Sequence, residues 1–369
     1  MSNRKSKRII FTGGGSAGHV TPNLALITKL HKENWDVFYI GSQHGLEKDL
    51  ITKITPKIPY YSIPTGKLRR YFSLQNFADP FKIVVGMLKA GFLCHKIKPQ
   101  IVFSKGGFVA FPVVVAAWLL HIPVIVHESD FSPGLANRLC FPFARKICIS
   151  FAQTESYIPA KHKSKLVVSG SPIREELFNG DKELGRKICD FSTDKKTILV
   201  QGGSLGAAPI NKIIHELLPK LLPDFNVAHS VGKNNIDTSL SNIPGYRQFE
   251  YLDAELPHVL SLADFVISRA GANSVHELIA LKKPHILLPL SREGSRGDQL
   301  LNAKYYADLG VSYVIFPENL TAEVLMREIY KLSDNLALVT KAFKNLQYPD
   351  GVAIIYTLIQ AAVGIESDR

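Results

Sequence analysis

The chain lacks several signatures that would assign it to a common functional class. Its 369 residues include four cysteines but no C-x-x-C pair, so we expect reduced thiols and neither a disulfide framework nor a zinc site. No Asp-x-Asp pair occurs, although it is a frequent metal-binding signature of enzymes that use nucleotide sugars. The absence of a G-x-x-x-x-G-K-[ST] loop argues against a P-loop kinase. We therefore expect no metal site and no cofactor.

Long apolar segments are also scarce. The run Phe108–Leu120 has 13 residues and is interrupted by Pro112, whereas a membrane-spanning helix needs about 20 apolar residues. Only Ile9–Phe11 are apolar before the first glycines, which is too short for the apolar region of a secretion signal. We expect a protein that lies on a membrane surface at most and does not cross it.

The composition is otherwise that of a globular protein with a basic surplus. Apolar residues make up 46% and charged residues 21%, which excludes disordered and fibrous classes. Forty-four Lys and Arg face 32 Asp and Glu, for a formal net charge of +12. Such a surplus suggests a polyanionic partner, and by itself leaves nucleic acid, an anionic membrane and a phosphorylated substrate open.

Short β-rich runs alternate with helical stretches, and this pattern occurs twice. Arg8–Thr12 and Lys196–Val200 each open a strand–glycine–helix sequence, which predicts two doubly wound parallel-sheet domains of the α/β class. We place these domains at 1–171 and 172–348, and expect the last helix, within 349–369, to pack back on the first. The other predicted strands are Asp36–Ile40, Ile101–Phe103, Pro123–His127, Lys146–Ser150, Leu166–Val168, Val227–Ser230, Phe265–Ser268 and His285–Pro289.

The first glycine turn follows the first strand. Gly13, Gly15 and Gly18 match G-x-G-x-x-G, a spacing that lets a helix N-terminus approach a phosphate. The second strand is followed by Gly41-Ser42-Gln43 and no carboxylate, which argues against a dinucleotide such as NAD. His19 directly after the turn is either a general base or a helix-capping residue.

Further polar groups in the first half follow predicted strands. Ser104–Phe108 contains a second glycine turn, which is weak evidence for a ligand when taken alone. His127–Asp130 reads His-Glu-Ser-Asp and closes an apolar strand. Burying ionisable groups without a use is costly, so this segment is either functional or a hydrogen-bonded loop.

The second half repeats the pattern of glycine turns and polar groups. Gly202–Ala207 suits a diphosphate at a helix N-terminus. In Arg269–Glu277, Ser274 either caps a helix or binds phosphate, and Glu277 either accepts from ribose hydroxyls or is a solvated helix residue. Arg296–Asn302 places more polar residues after the strand that ends near Pro289.

The stretch Lys67–Lys89 interleaves cations with aromatic and aliphatic residues. Such a pattern is typical of an interfacial helix on anionic lipid, and equally of a core-facing helix with a basic outer edge.

Seven ordered blocks carry a family resemblance, from Arg8 to about Asn302: GGGSAGHVTPNLA, SKGGFVAFP, HESDFSPGLANRL, GSPIREE, GGSLGAAPIN, SRAGANSVHE and GDQLLNA. In these blocks the chain resembles the MurG family of N-acetylglucosaminyltransferases, which make lipid II for peptidoglycan. The resemblance implies a GT-B fold, with two Rossmann-like domains facing a central cleft. It also implies metal-independent, inverting transfer of N-acetylglucosamine from UDP-GlcNAc to the C4 hydroxyl of undecaprenyl-diphospho-N-acetylmuramoyl-pentapeptide (lipid I).

The resemblance also implies roles for individual residues. His19 is the first choice for the catalytic base and Glu128 the second. Ser204 would bind diphosphate, Leu252 would lie by the uracil and Gln299 on the sugar. The full set implied to bind UDP-GlcNAc is Ser16, Ala17, Gly18, Asp130, Arg174, Ser204, Leu252, Arg269, Ala272, Asn273, Ser274, Glu277 and Gln299.

The partners implied by the resemblance are UDP-GlcNAc, lipid I, an anionic membrane surface and other cell-wall synthesis proteins, with no nucleic acid. Lys67–Lys89 and Trp118–Leu120 would form the membrane-docking surface. The protein would then be peripheral, on the cytoplasmic face of the cell membrane.

The chain departs from the family pattern in three places. The family reads T-G-G-H at 16–19, H-E-Q-N at 127–130, and Gln or Arg where this chain has Leu205. Asp130 removes two amide donors and adds a charge near the acceptor or sugar. Alternatives are a related transferase with another UDP-sugar or lipid, an isomerase like UDP-GlcNAc 2-epimerase, and a non-catalytic nucleotide-sugar binder. An NAD-dependent oxidoreductase fits least well.

Overall fold

The computed structural model describes residues 6–15, 17–53, 56–66, 75–192, 194–203, 206–292 and 295–364. The chain divides into two compact units. The first unit comprises Met1–Ile173 with Pro349–Arg369, and the second unit comprises Arg174–Tyr348. The division between Ile173 and Arg174 falls two residues beyond the 171/172 boundary expected from the sequence.

The first unit is built on a seven-stranded, wholly parallel sheet of order β3-β2-β1-β4-β5-β6-β7. Its strands are β1 (Arg8–Thr12), β2 (Asp36–Ser42), β3 (Tyr60–Ile63), β4 (Ile101–Ser104), β5 (Val124–Glu128), β6 (Lys146–Ile149) and β7 (Leu166–Val168). Its first helices are α1 (Thr21–Lys32), α2 (Leu46–Thr52), α3 (Gln75–Ile97), α4 (Ala110–Leu119) and α5 (Leu135–Cys140). The sheet buries apolar side chains on both faces, which explains why β4 and β5 are nearly continuous apolar runs.

The second unit repeats this design with a six-stranded parallel sheet of order β10-β9-β8-β11-β12-β13. Its strands are β8 (Lys196–Gln201), β9 (Phe225–Ser230), β10 (Tyr246–Phe249), β11 (Phe265–Ser268), β12 (His285–Leu287) and β13 (Tyr313–Val314). Its helices are α6 (Lys182–Cys189), α7 (Ala208–Leu221), α8 (Leu256–Leu262), α9 (Ala272–Ala280), α10 (Asp298–Asp308), α11 (Ala322–Asp334) and α12 (Leu336–Asn345). The predicted α/β class, with two doubly wound parallel sheets, is confirmed.

The last helix, α13 (Gly351–Gly364), belongs to the first unit. Ile355 and Ile359 are fully buried in the same core cluster as Ile9 and Leu26. At its start a Cβ on Gly351 would lie 2.6 Å from the carbonyl oxygen of Ser171, so only glycine fits this close approach. The chain therefore returns to its first sheet after completing the second.

Helix α3 is apolar on two sides. Ala90, Leu93 and Ile97 are buried in the first unit, whereas Phe81 and Leu88 are 73% and 71% exposed. Residues 67–74, the first part of the basic and aromatic stretch, lie outside the described residues. Within the described part of the chain, no helix combines the length and hydropathy needed to cross a bilayer.

Candidate active site

The first-unit candidates lie where adjacent parallel strands end. Strands β1, β4 and β5 are neighbours in the sheet, so the segments that follow them share its carboxyl edge. Open α/β sheets bind their ligands at this edge. The first glycine turn, the second glycine turn and the His127–Asp130 segment are therefore close together, although they are separated along the chain.

The first glycine turn orients His19. Gly15 has φ +89°, a conformation that favours glycine, and Ala17–His19 form a single 3-10 turn before α1. The Nδ1 atom of His19 lies 2.9 Å from the Gly14 carbonyl oxygen. Since a carbonyl oxygen only accepts, Nδ1 carries the proton and Nε2 of the neutral ring keeps the lone pair that a general base needs. Ser16, a predicted substrate contact, lies outside the described residues.

The carboxylate of Glu47 supports this turn. The Glu47 side chain is fully buried at the start of α2 and accepts hydrogen bonds from the Gly15 N–H (3.3 Å) and the Ser42 N–H (2.9 Å). The Ser42 hydroxyl donates to it as well. A Cβ on Gly14 would lie 2.5 Å from the same carboxylate, so the turn is closely packed on it. No local sequence pattern marks Glu47, because 32 residues separate it from the turn that it supports.

The second glycine turn packs against the first. Gly106 and Gly107 have φ +96° and +83°, and the Gly14 N–H donates to the Gly106 carbonyl oxygen at 3.3 Å. A Cβ on Gly107 would overlap the Gly14 carbonyl. Taken alone, the sequence of this turn was weak evidence; the structure places it in direct contact with the turn that carries His19.

The Glu128 carboxylate is used to hold the loop after β5. Its Oε1 accepts from the Asp130 N–H (2.9 Å), and its Oε2 accepts from the Gly134 N–H (3.0 Å) and from Nδ2 of Asn137 (2.9 Å). His127 is also buried, and its Nε2 donates to the Gly170 carbonyl oxygen at 2.9 Å. These contacts match the hydrogen-bonded-loop alternative for this segment.

Lys105 lies buried beside this loop. Its ammonium group donates a 2.6 Å hydrogen bond to the Ser129 hydroxyl. Burial lowers the pKa of Lys105, while the negative charges of Glu128 and Asp130 raise it. The sequence showed Lys105 only as part of a glycine turn.

In the second unit, the turn after β8 leads into the N-terminus of α7. Gly203 and Gly206 have φ +95° and +75°, and a Cβ on Gly206 would overlap the Val231 carbonyl. The first N–H groups of α7 follow directly, and a helix N-terminus favours anions. Ser204 and Leu205 lie outside the described residues, so the proposed diphosphate contact of Ser204 remains a prediction.

Arg174 and Glu277 meet near the carboxyl edge of the second sheet. The Nη2 atom of Arg174 lies 3.5 Å from Oε1 of Glu277, and the two side chains are only 13% and 16% exposed. Burial raises the pKa of Glu277, while the adjacent guanidinium lowers it. The buried Nε–H of Arg174 has no hydrogen-bond partner among the described residues. The pair thus retains hydrogen-bonding capacity for a ligand.

Tyr251 is a further residue near this pair, and sequence analysis did not single it out. Its side chain is 53% exposed and lies within electrostatic range of both Arg174 and Glu277. The one signal in the sequence was its position directly before Leu252, which is itself buried.

The remaining second-unit candidates follow β11 and β12. Arg269 donates from Nη1 to the Leu288 carbonyl oxygen at 3.1 Å, and burial lowers its pKa. Oε1 of Gln299, at the start of α10, accepts from the Leu290 N–H at 3.1 Å. Both side chains therefore bind the segment after β12. Three more candidates form the first turn of α9: Ala272, Asn273 and Ser274.

Comparison with known proteins agrees with the fold and with the sequence motifs. Residues 9–149 match the glycosyltransferase family 28 N-terminal domain, and residues 197–350 match the glycosyltransferase family 28 C-terminal domain. The crystal structure of Acinetobacter baumannii MurG superposes with a TM-score of 0.71 at 27% sequence identity, covering 96% of this chain and 99% of that one.

Two curated relatives share one name, UDP-N-acetylglucosamine–N-acetylmuramyl-(pentapeptide) pyrophosphoryl-undecaprenol N-acetylglucosamine transferase. The protein from Legionella pneumophila (strain Paris) is 49% identical over 364 residues, which is 99% of each chain. The protein from Clostridium perfringens (strain SM101 / Type A) is 50% identical over 356 residues, covering 96% of this chain and 98% of that one. The chain therefore belongs to glycosyltransferase family 28 and, within it, to the MurG family.

Proposed function

We propose that this protein transfers N-acetylglucosamine from UDP-GlcNAc to the C4 hydroxyl of lipid I, giving lipid II for peptidoglycan synthesis. The observation that best supports this proposal is the sequence identity to transferases named for this reaction. It amounts to about half of all positions, along nearly the whole chain. No observation favours the isomerase, the non-catalytic binder or the oxidoreductase.

The second unit would hold the donor. The N-terminus of α7, together with Ser204, would face the diphosphate, since a helix N-terminus offers N–H donors and a partial positive charge. Glu277 would accept from the ribose hydroxyls, and Arg174 would orient it. In support, the Glu277 carboxylate is mostly buried, yet among the described residues it is held by one long contact of 3.5 Å, so its oxygens retain room to accept from hydroxyl groups. Leu252 would lie by the uracil and Gln299 by the sugar.

The first unit would supply the base. As the acceptor oxygen attacks the anomeric carbon, Nε2 of His19 takes the hydroxyl proton and later releases it to solvent. The bond from the anomeric carbon to the diphosphate oxygen breaks with its electron pair on UDP, and attack from the opposite face inverts the configuration. The helix N-terminus stabilises the charge that develops on the leaving group. We prefer His19 to Glu128 because both Glu128 oxygens already accept from donors in its loop.

We also propose that the first unit docks on the cytoplasmic face of the membrane, where its lipid-linked acceptor would be anchored. The docking surface, here called the apolar face, consists of Phe81, Val84, Leu88 and Phe92 on α3 with Trp118, Leu119 and Leu120 at the end of α4. These side chains are between 42% and 73% exposed, and α3 packs against α4. Clustered exposed apolar groups are unusual on a soluble monomer, and Lys82 and Lys89 add cations for anionic lipid.

The reaction is tested by measuring UDP release from UDP-GlcNAc with and without a lipid I analogue, with UDP-glucose as a competing donor. We expect release only when UDP-GlcNAc and lipid I are both present, and little competition from UDP-glucose. Donor binding without turnover on lipid I would move the acceptor to another lipid. Conversion of UDP-GlcNAc to an isomer without any acceptor would instead identify an isomerase.

A further inference from the structure

Lys105 follows β4 directly, and its side chain is buried at the carboxyl edge of the first sheet, with 2% exposure. A buried ammonium group is costly unless neighbouring groups compensate it. Here the compensation comes from the loop after β5. The Ser129 hydroxyl accepts from Nζ at 2.6 Å, and the carboxylates of Glu128 and Asp130 act on the ammonium group electrostatically.

The backbone of Lys105 contacts the other part of the candidate site. Its N–H donates to the Thr12 carbonyl oxygen at 2.9 Å, at the end of β1. Its Cβ packs beside the first glycine turn, only 3.1 Å from where a Cβ on Gly13 would stand. One residue therefore joins the turn that orients His19 to the loop that contains Asp130.

Two acidic side chains lie here, Glu128 at the end of β5 and Asp130 in the loop that follows, and neutral donors stabilise the first of them. Three N–H groups, from two backbone positions and Asn137, stabilise the Glu128 carboxylate. Asp130 is half-buried two residues further on, and its charge acts on Lys105 as that of Glu128 does. Like charges in a poorly solvated region repel one another, and a buried cation offsets that repulsion.

We propose that Lys105 is a positioning residue for the transfer reaction. Its buried ammonium group fixes Ser129 and offsets the charges of Glu128 and Asp130, which holds the loop after β5 against the glycine turn that carries His19. The inference rests on the proposed function, because its effect is read in transfer to lipid I. Lys105 acts through the loop, so its loss changes turnover and leaves donor binding by the second unit intact.

The test uses Lys105→Met, Asp130→Asn and the double variant, with Lys146→Met as the matched lysine control. Lys146 is half-buried and begins β6, at the opposite end of the sheet from the site. UDP release at saturating UDP-GlcNAc gives kcat and the KM for a lipid I analogue, and calorimetry gives the Kd for UDP-GlcNAc.

We expect Lys105→Met to lower kcat about 10- to 100-fold, because small misplacements of reacting groups cost rates of that order. Removing the charge of Asp130 in the Lys105→Met variant should raise kcat about tenfold, as expected for groups coupled through one network. The Kd for UDP-GlcNAc should stay at the wild-type value in Lys105→Met, and Lys146→Met should keep the wild-type kcat.

A double variant no more active than Lys105→Met would overturn the proposal, and so would a Lys105→Met variant with unchanged kcat. Thermal unfolding is followed for every variant. The activity of the double variant could also rise only because more of it is folded, with kcat per folded molecule equal to that of Lys105→Met. In that case Lys105 would contribute to stability alone, and the proposal would be contradicted. If Lys105→Met does not fold, Lys105→Gln removes the same charge while keeping an N–H donor, and it is compared in the same way.

Measurements on the wild-type protein distinguish failure of the proposed function from failure of the role proposed for Lys105. Wild-type protein without lipid I-dependent UDP release would refute the proposed function. Active wild-type protein without coupling between positions 105 and 130 would refute only the role of Lys105.

Discussion

In the first unit, Lys105 and Glu128 at the sheet edge are hydrogen-bonded to neighbouring side chains and backbone, whereas in the second unit Arg174 and Glu277 keep hydrogen-bonding capacity for new partners. Glu128 accepts from three N–H groups and Lys105 donates to Ser129 at 2.6 Å. By contrast, Arg174 and Glu277 meet through one 3.5 Å contact. The same architecture thus serves two purposes. In the proposed reaction, the first edge would fix the catalytic base in place, and the second edge would gain hydrogen bonds from the donor.

Loss of His19 should give the largest effect, and we expect this effect in the chemical step only. We expect His19→Ala to lower kcat about 10²- to 10⁴-fold, the range typical of a general base. The Kd for UDP-GlcNAc should not change, because the donor is assigned to the second unit. UDP release and calorimetry measure the two quantities, and exposed His44, changed to Ala, is the matched control. Near-wild-type turnover of His19→Ala would reject His19 as the base.

Changing Glu277 should give a smaller effect, and it should alter the KM for the donor and not kcat. We expect Glu277→Gln to raise the KM for UDP-GlcNAc about 10- to 100-fold, since hydrogen bonds to charged groups contribute about 1.5–3 kcal/mol. The mostly exposed Glu176, 4.0 Å from Arg174, gives the control variant Glu176→Gln. An unchanged KM in Glu277→Gln would remove Glu277 from the donor site.

The same residue predicts a pH dependence of donor binding. Burial raises the pKa of Glu277, so the carboxylate protonates at a higher pH than an exposed glutamate as the solution is acidified. The protonated form is a poorer acceptor for ribose hydroxyls, and the Kd for UDP-GlcNAc should therefore rise as pH falls. Calorimetry from acidic to neutral pH on wild type and Glu277→Gln checks this, and an equal pH response in both would contradict it.

All residues of the apolar face belong to the first unit. Substitutions of exposed apolar residues in the two units should therefore differ in their effect on membrane binding. We expect Phe81→Ser with Leu88→Ser to weaken binding to anionic vesicles about tenfold, because side chains that insert only partly at a membrane surface contribute a fraction of the about 1.5–3 kcal/mol that full burial gives each of them. Leu338 on α12 is 63% exposed in the second unit, and Leu338→Ser should bind vesicles like wild type. Vesicle sedimentation measures both. Equal losses from the two units, or binding independent of salt and anionic lipid, would exclude the proposed surface.

Chelation should have the smallest effect of all. In the proposed donor site, the helix N-terminus and cations of the second unit would neutralise the diphosphate, so EDTA should leave UDP release unchanged. The measurement compares turnover in EDTA with turnover in added Mg²⁺. If EDTA abolished activity and Mg²⁺ restored it, the protein's own groups would be insufficient to neutralise the diphosphate.

The sequence predicted the interior strands better than the edge strands. Strands β1, β7 and β11 have the predicted bounds, whereas β3, β10 and β13 were missed. All three missed strands lie at a sheet edge, where a strand has one neighbour and needs less of the continuous apolar pattern that marks a buried parallel strand; of the four edge strands, β7 alone was predicted.

The site was predictable where a motif is local and unpredictable where it depends on distant contacts. The glycine turns and His19 follow from spacing within a few residues. The support from Glu47 and the contact between Lys105 and Ser129 join positions 32 and 24 residues apart, and only the folded sheet brings them together. The sequence likewise marked Glu128 as ionisable at a strand end without showing that its carboxylate is occupied by its own loop.

The division of labour between the units is tested most directly by measuring kcat for His19→Ala and Glu277→Gln side by side, with lipid I fixed and UDP-GlcNAc raised to saturation. We predict that high donor concentration restores most of the wild-type rate in Glu277→Gln and none of it in His19→Ala. Recovery of His19→Ala by excess donor, with Glu277→Gln remaining slow at saturation, would contradict the assignment of the base to the first unit and of the donor to the second.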